Sequence, residues 1–542
     1  MLFGKDKGAV QFQSESSFYG ASERERMLSR LDAAFLGIQY EHRQYLWDGR
    51  ENKHGVEDGS DCRYALDMPR RHERVPCVQT KLAGTIVRRF TDMLFGVKRR
   101  PAVESDGDKD GTAWLRRAFE MSCAWEELTK ARDNGGAMGT PVVLVRLKDG
   151  KLRMDALNPR NCRPKWKDRK VLELESVEEV YLFLDEEENP ETGARDLVER
   201  YYRRIVDCEK DRIWRAVDKP KGTGMPKWGA PDETHEHGLG VCPVMWGQNE
   251  DVDETIDGRS DFDGQLPNIE QLDFVESECT DSIIHNLDAT LVLTETSAAE
   301  AGVVRTGHYN TLCLPKAGAA ASFLEVSGAA IKAGDDRSAK LRSQILEACQ
   351  CVLVDPKDLP GMGQGRDALE AVYRPMLSRC DRMREQYGKL VRRVAELMVM
   401  LVRKADEAGE ETDVLTETRD VGGEPTRVVL SPPEKDWTCR LSWPRYFEPT
   451  SGDKSQETAA AGTAVRDGVV SQRTAVQSIA SMWGIEDVDA EIEAIQEDQA
   501  AAQAGLMEDG MDAAGDEEFP EDDELPGEGE EPLEDEPAEP EA

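Results

Sequence analysis

Two periodicities divide the chain. In residues 24–47 the apolar positions Met27, Leu31, Phe35 and Ile38 fall four, four and three apart, the spacing of one face of a helix. Residues 75–95 (VPCVQTKLAGTIVRRFTDMLF) continue the helical pattern and stop at Gly96, a residue suited to closing a helix. A third amphipathic helix is predicted over 112–131, through Trp114, Leu115, Phe119 and Trp125. The character then changes. Residues 141–146 and 151–157 flank Leu147-Lys148-Asp149-Gly150, whose Asp-Gly pair suits a hairpin turn. Residues 171–184, 197–206 and 212–217, rich in β-branched and aromatic side chains, are further strand candidates. A Pro/Gly-rich connector over 219–240 leads to Val241-Cys242-Pro243-Val244-Met245-Trp246.

From Gly258 the helical spacing returns. Leu266, Ile269, Leu272, Val275, Cys279, Ile283 and Leu287 form one stripe. A mixed segment over 289–330 follows, with apolar pieces at 289–293 and 311–314, then a second, shorter helix at 335–351. After a loop at 352–366 a long helix is predicted over 368–404. Its seam runs Tyr373, Met376, Cys380, Met383, Tyr387, Leu390, Val394, Leu397 and Leu401, about 3.5 residues apart. Pro375 lies near its start, where proline is tolerated or makes a kink. A hairpin at 414–429 around Val421-Gly422-Gly423-Glu424 and a strand at 437–443 come next. Three helices follow, at 454–467, 471–483 and 488–503, with Ser471 as N-cap of the middle one. The fold class is α+β: helices, an antiparallel sheet, then helices again.

Charge sharpens this picture. The 542 residues include 69 basic and 108 acidic side chains, a net of −39. From Thr474 to Ala542 there are 25 acidic residues and no Lys or Arg, so most of the surplus is an acidic tail. Beyond residue 504 the Asp/Glu/Pro/Gly composition cannot bury enough apolar surface to order itself, and the tail is expected to be disordered. The first 22 residues are polar and expected to be flexible. No Lys or Arg occurs over 260–304, while Asp261, Asp263, Glu270, Asp273, Glu276, Glu278, Asp281 and Asp288 are read on outer helix faces. Such faces repel phosphate, which suits either no DNA contact or a passage that DNA slides through. A mixed segment between two helices reads as a tip on a stalk, or equally as an ordinary helical domain with a β insertion. The apolar run at 394–402, interrupted by Glu396, is far short of the roughly 20 residues of a membrane span. The start (MLFGKDKGAV) lacks the apolar stretch of a secretory signal. Twelve scattered cysteines read as reduced thiols of a cytosolic protein.

Catalytic chemistry finds little support. Gly361-Met362-Gly363-Gln364-Gly365-Arg366 has the look of a phosphate-cradling run but lacks the glycine spacing and the preceding strand of a dinucleotide fingerprint, so it reads as a loop between helices. No G-x-x-x-x-G-K-[ST], H-E-x-x-H or G-x-S-x-G occurs. His235-Glu236-His237 has two imidazoles in a Gly/Pro-rich loop with no third ligand nearby and reads as solvated rather than metal-binding. No catalytic residue, metal site or cofactor is expected.

Several segments carry a resemblance. Thr91-Asp92-Met93-Leu94-Phe95-Gly96 closes an early helix, and residues 139–166 (GTPVVLVRLKDGKLRMDALNPRNCRPKW) form a hairpin followed by a proline-bearing segment. Cys242-Pro243-Val244 leads to Gly258-Arg259-Ser260-Asp261 and a helix, and Pro449, Gln456-Glu457 and Gly468-Val469-Val470-Ser471-Gln472-Arg473-Thr474-Ala475 follow near the end. In this order, over residues 75–503, the chain resembles the portal proteins of tailed, siphovirus-like bacteriophages. The resemblance implies a ring of subunits, typically twelve, at one capsid vertex of the virion, assembled in the host cytoplasm and packaging and ejecting DNA. It implies a wing at 23–258, a stem helix at 259–288, a clip at 289–334 and a second stem helix at 335–351. A tunnel loop at 352–367, the long helix and wing hairpin at 368–450 and a crown at 451–503 complete the map. Lys357, Asp358, Gln364 and Arg366 would touch DNA from the loop, and Glu270, Asp273, Glu276 and Asp281 would line the channel wall. Arg305, His308 and Lys316 would meet partners at the clip. The implied partners are double-stranded DNA, the terminase large subunit, the head–tail adaptor, and the major capsid and scaffolding proteins, with no membrane. The competing readings are an acidic scaffold or adaptor without a DNA channel, and a packaging enzyme, which the missing P-loop disfavours.

Overall fold

The computed structural model describes residues 23–40, 76–168, 173–188, 195–220, 226–252, 255–287, 290–294, 320–324, 329–353, 366–421, 424–434, 436–447, 451–483, 485, 488 and 491–498. The chain divides into two units, one running to Phe447 and the other from Glu448.

The helical core of the first unit is built around α2 (Leu82–Phe95), of whose fourteen residues ten are buried. Helix α1 (Glu23–Leu36) approaches it so closely at Gly84 that a Cβ there would strike the Phe35 carbonyl. The long helix expected from the apolar seam is α7 (Arg366–Ala408), and all nine seam positions from Tyr373 to Leu401 are buried. Phe95 anchors the junction, with its ring within 6.4 Å of Trp125, 5.8 Å of Tyr387 and 6.1 Å of Trp443. Pro375 lies inside α7 on its exposed side.

Three helices depart from the sequence expectation, the first being α1, which ends at Leu36 before Gly37 at φ 72° although the apolar spacing suited a helix over 24–47. The helix predicted over 112–131 is two, α3 (Lys109–Met121) and α4 (Ala124–Met138), broken where Cys123 takes a left-handed backbone with φ 54°. Asp108 caps α3 by accepting from the Gly111 N–H at 2.9 Å. The helix predicted from residue 75 begins only at Leu82. The residues before it are an extended strap bonded to another element, described below, and Lys81 turns the corner with φ 51°.

The sheets follow the predicted pattern and add to it. Strands β2 (Val142–Lys148) and β3 (Lys151–Leu157) form the expected hairpin, with Asp149 and Gly150 both at positive φ, the geometry an Asp-Gly pair favours. Five antiparallel strands make a meander: β4 (Cys162–Asp168), β5 (Glu173–Glu188), β6 (Arg195–Asp207), β7 (Lys210–Asp218) and β8 (Glu233–Glu236). Strand β9 (Val244–Trp246) joins the edge of β2. Val142, Leu144, Leu157, Cys162, Val177 and Trp246 meet between the two sheets. A short strand the sequence reading missed, β1 (Ala102–Ser105), pairs with β14 (Cys439–Ser442), the strand expected at 437–443.

After β9 come α5 (Leu266–Leu287), the paired strands β10 (Thr290–Thr294) and β11 (Ala320–Leu324), and α6 (Ala329–Ala348), which starts six residues earlier than expected. Strand β10 matches the apolar piece at 289–293, but its partner is β11; the piece at 311–314 lies outside the described residues. The hairpin of β12 (Thr416–Val421) and β13 (Glu424–Val429) completes this unit.

The second unit contains α8 (Ser451–Arg466) and α9 (Gln472–Trp483), with Ala475, Val476, Ala480 and Met482 buried. Ser471 caps α9 as expected, its hydroxyl accepting from the Thr474 N–H at 3.2 Å. Residues 491–498 are helical.

Candidate functional site: a helical stalk and its root

Helices α5 and α6 pack side by side and change character along their length. Near the root Leu266, Ile269 and Leu272 of α5 and Leu341 and Ile345 of α6 are buried. At the far end of α5 Ile283 and Ile284 are 42% and 55% exposed. The two helices approach closely because Gly334 has no side chain: a Cβ there would strike the Cys279 thiol. One turn away the Ser338 hydroxyl donates to Glu276.

The root is a buried polar junction. Arg132 of α4 is fully buried and donates from Nη2 to Asp261 Oδ2 at 2.9 Å. Asn249 donates from Nδ2 to the other carboxylate oxygen at 3.0 Å and accepts from the Tyr387 hydroxyl, also at 3.0 Å. Arg379 of α7 donates to the Asp261 carbonyl at 3.1 Å and to the Cys349 carbonyl, at the end of α6, at 2.5 Å. One cluster therefore clamps α4, the entry to α5, the exit of α6 and the middle of α7. Burial works against the Arg132 charge, but Asp261 and Tyr387 more than offset it and the guanidinium is held more firmly protonated than usual. Burial pushes the Tyr387 phenol up, so it stays a neutral donor.

Glycines create the room. A Cβ on Gly136 would strike both Arg132 and Asp261, and one on Gly135 would strike the Tyr387 hydroxyl. Gly139 ends α4 with φ 85°, and a Cβ there would collide with the Gly258 carbonyl. The Asp261 N–H donates to the Gly136 carbonyl at 2.7 Å. Two of the segments that carried the resemblance, the one beginning at Gly139 and Gly258-Arg259-Ser260-Asp261, are thus packed against each other.

The four acids expected on a channel wall have different fates. Asp273 is the correction: it is fully buried and accepts four hydrogen bonds. They come from the Tyr40 hydroxyl at 2.9 Å, Gln39 at 3.1 Å, the Thr80 N–H at 2.9 Å and the Thr80 hydroxyl at 2.7 Å. With Ser277, which accepts from the Val78 N–H at 3.0 Å, it ties the strap before α2 to α5. A carboxylate so engaged faces the protein and not a lumen, and it explains why α2 starts late. Burial and the neighbouring Asp273 charge push the Tyr40 phenol up. Glu270 pairs with Arg30 at 3.2 Å, Glu276 accepts from Ser338, and Asp281 lies half-buried near the Cys77 thiol. Lys357, Asp358, Gln364, Arg305, His308 and Lys316 lie outside the described residues; Arg366 begins α7, and its side chain is likewise outside them.

The root residues Arg132, Asn249, Tyr387 and Arg379 were missed by the sequence reading. Tyr387 was visible only as a seam position, and Arg132 lies one residue past the helix predicted over 112–131. Among the described residues no group of His, Cys, Asp and Glu is arranged to hold a metal, and no helix is long and apolar enough to cross a membrane. His235 lies within 3.5 Å of Glu233, and burial pushes the His237 imidazole below its ordinary value.

Residues 67–505 match the family described as phage portal protein, SPP1 Gp6-like. The match takes in the root, the stalk and the helices past Glu448. No curated protein matches the chain.

Proposed function

The chain belongs to the SPP1 Gp6-like family of phage portal proteins, and from that premise we propose how its parts serve a DNA conduit. A portal protein is a structural component of the capsid vertex, the channel through which genomic DNA passes. In this reading twelve copies close into a ring. Residues 23–258, with α7 and the β12–β13 hairpin, are the wing, and α5 and α6 are the stem. Residues 289–334 are the clip, which docks the terminase large subunit during packaging and the head–tail adaptor afterwards. Residues 352–367 are the tunnel loop, bringing Lys357, Asp358, Gln364 and Arg366 to DNA, and residues 451–503 are the crown. Arg305, His308 and Lys316 are the clip's polar contacts. Capsid and scaffolding proteins surround the wing, and assembly takes place in the host cytoplasm.

The observation that carries this reading is the stalk. Two helices clamped at one end by a buried polar junction, and exposing Ile283 and Ile284 at the other, suit a stem that neighbouring copies cover. The strand pair β10–β11 stands between them, where a docking tip belongs. Helix α5 carries no Lys or Arg, and Glu270, Glu276 and Asp281 on it support a wall of low affinity for phosphate. Asp273 has no part in that wall.

Electron microscopy of the purified full chain viewed down its axis is the direct test. An annulus with an opening wide enough for duplex DNA is the expected result. Closed particles without an opening would overturn the conduit, and images of twelve-fold, eleven-fold or thirteen-fold rings would decide the copy number.

A further inference from the structure

Strand β5 pairs with β6 from Ser176↔Asp207 to Glu188↔Arg195, but its neighbours stop short. Strand β4 accompanies it only as far as Glu179, and β7 accompanies β6 only back to Arg200. The far end is therefore a two-stranded ribbon, an arrangement marginal on its own in water. At that end Asp185, Glu187 and Asp218 all converge on Arg200, at 2.5, 3.0 and 3.2 Å, and Glu186 pairs with Arg195 at 3.1 Å. Four carboxylates share two guanidiniums, so the tip is acidic. The Glu186 and Glu187 side chains are 61% and 56% exposed, and between the charges Leu197 presents an apolar side chain 62% exposed.

At the opposite end of the same ribbon is a groove of about 560 Å³. Leu174, Cys208, Val241 and Met245 make its sheet side, and Lys389, Arg392, Arg393 and Glu396 line it from α7. Arg393 is paired with Glu396 at 2.8 Å, and Glu173 at the rim is paired with Lys167 at 2.6 Å. Lys389 and Arg392 are different. They reach only the Gln386 side-chain oxygen at 3.4 Å and the Gly388 carbonyl at 3.3 Å, and neither meets a carboxylate among the described residues. In a chain with a net charge of −39, two exposed cations without a carboxylate beside an apolar floor are a surface prepared for an acidic partner with an apolar anchor.

From Leu174 to Glu187 the extended strand covers roughly 43 Å at about 3.3 Å per residue. A copy therefore cannot place its own tip in its own groove. Donor and acceptor at opposite ends of one strand pair make a heterologous, head-to-tail contact, the kind that can close into rings. We propose that the acidic tip of β5–β6, with Leu197 as its apolar anchor, docks in the Lys389–Arg392 groove of a second copy of this chain. The proposal rests on the portal reading for the ring and names the surfaces that build it.

The test uses the full chain. A carbodiimide joins an amine to a carboxylate as an amide with loss of water, so in a mixture of isotopically light and heavy chains it should link Lys389 of one copy to Glu186 or Glu187 of another. Lys389→Glu with Arg392→Glu, or Glu186→Lys with Glu187→Lys, should each lower the oligomeric fraction by roughly tenfold or more, as like charges are brought together. Combining all four changes should restore most of it, and Leu197→Ser should weaken assembly without altering the charge. Circular dichroism of each variant checks that it is folded; all the altered residues are exposed. Rings that ignore both reversals, or links between copies that never involve Lys389, would overturn the tip-and-groove contact and leave the portal reading standing. A wild-type chain that stays monomeric at high concentration would overturn both.

Discussion

Arg132 at the stalk root and Arg200 on the sheet ribbon both gather carboxylates, and they do different work. Arg132 is fully buried, has one carboxylate in ion-pair contact among the described residues, and is framed by Asn249, Tyr387 and the glycines of α4. In that low-dielectric setting the pair is strongly coupled, and removing one member leaves an uncompensated buried charge. Arg200 sits among three carboxylates at the water-facing end of a ribbon, where solvent and salt screen each contact. The root pair fixes geometry; the ribbon charges contribute little to folding and leave a net field for association. Identical residue types thus divide between architecture and recognition according to burial alone.

That contrast can be broken most forcefully at the root. Asp261→Ala should cost about 3–5 kcal/mol, read from urea unfolding of the full chain, because the buried Arg132 loses its ion-pair partner. Replacing both members by apolar residues, Arg132→Met with Asp261→Leu, should cost clearly less than the single change. A loss equal to that of a surface pair would mean that the root is wetter than its burial indicates.

The intermediate case is Glu179, on the inner half of β5. Burial pushes its carboxyl up to about 7 from an ordinary 4.5, against the pull of Arg204. The folded state therefore holds a proton that the unfolded state has released between those values. Glu179 imposes no penalty below about pH 4.5, and stability is lost as pH rises from there through 7. Glu179→Gln should be more stable than wild type by about 1–3 kcal/mol at pH 8, with the difference closing toward pH 5. A difference constant across that range would contradict the assignment.

The smallest effect belongs to the ribbon end. Arg195→Ala should change unfolding stability by no more than about 0.5 kcal/mol, since its pair with Glu186 is exposed. Measured against the root variant, a comparable loss would erase the distinction between the two regions.

Much of the fold was legible because its signal is local. The α7 seam, from Tyr373 to Leu401, needs only a helical repeat and a partner to bury against, and every position is buried. The β2–β3 hairpin follows from Asp149-Gly150, whose left-handed conformation the residues favour by themselves. What escaped depends on contacts remote in sequence. The β1–β14 pair joins segments separated by most of the unit; β14 falls within the strand expected at 437–443, but the four residues of β1 carry too little alternation to announce themselves. The break at Cys123 interrupts an unbroken amphipathic pattern, because packing against separate neighbours divides the helix where the sequence does not.

Asp273 and Asp281 show where the boundary runs. Both stand on one helix in a stretch free of basic residues; their spacing placed both on an outer helix face, and the family resemblance implied a channel wall there. The strap carrying Val78 and Thr80, together with Gln39 and Tyr40, seals Asp273 away from water, while Asp281 stays half-exposed. The amino-acid order settled helix and strand periods, the hairpin turn, the acidic balance and the family resemblance, since each is a property of neighbouring residues or of their sum. The folded chain settled which charges are buried and paired and which are left for a partner, because desolvation is set by what other segments bring to a side chain.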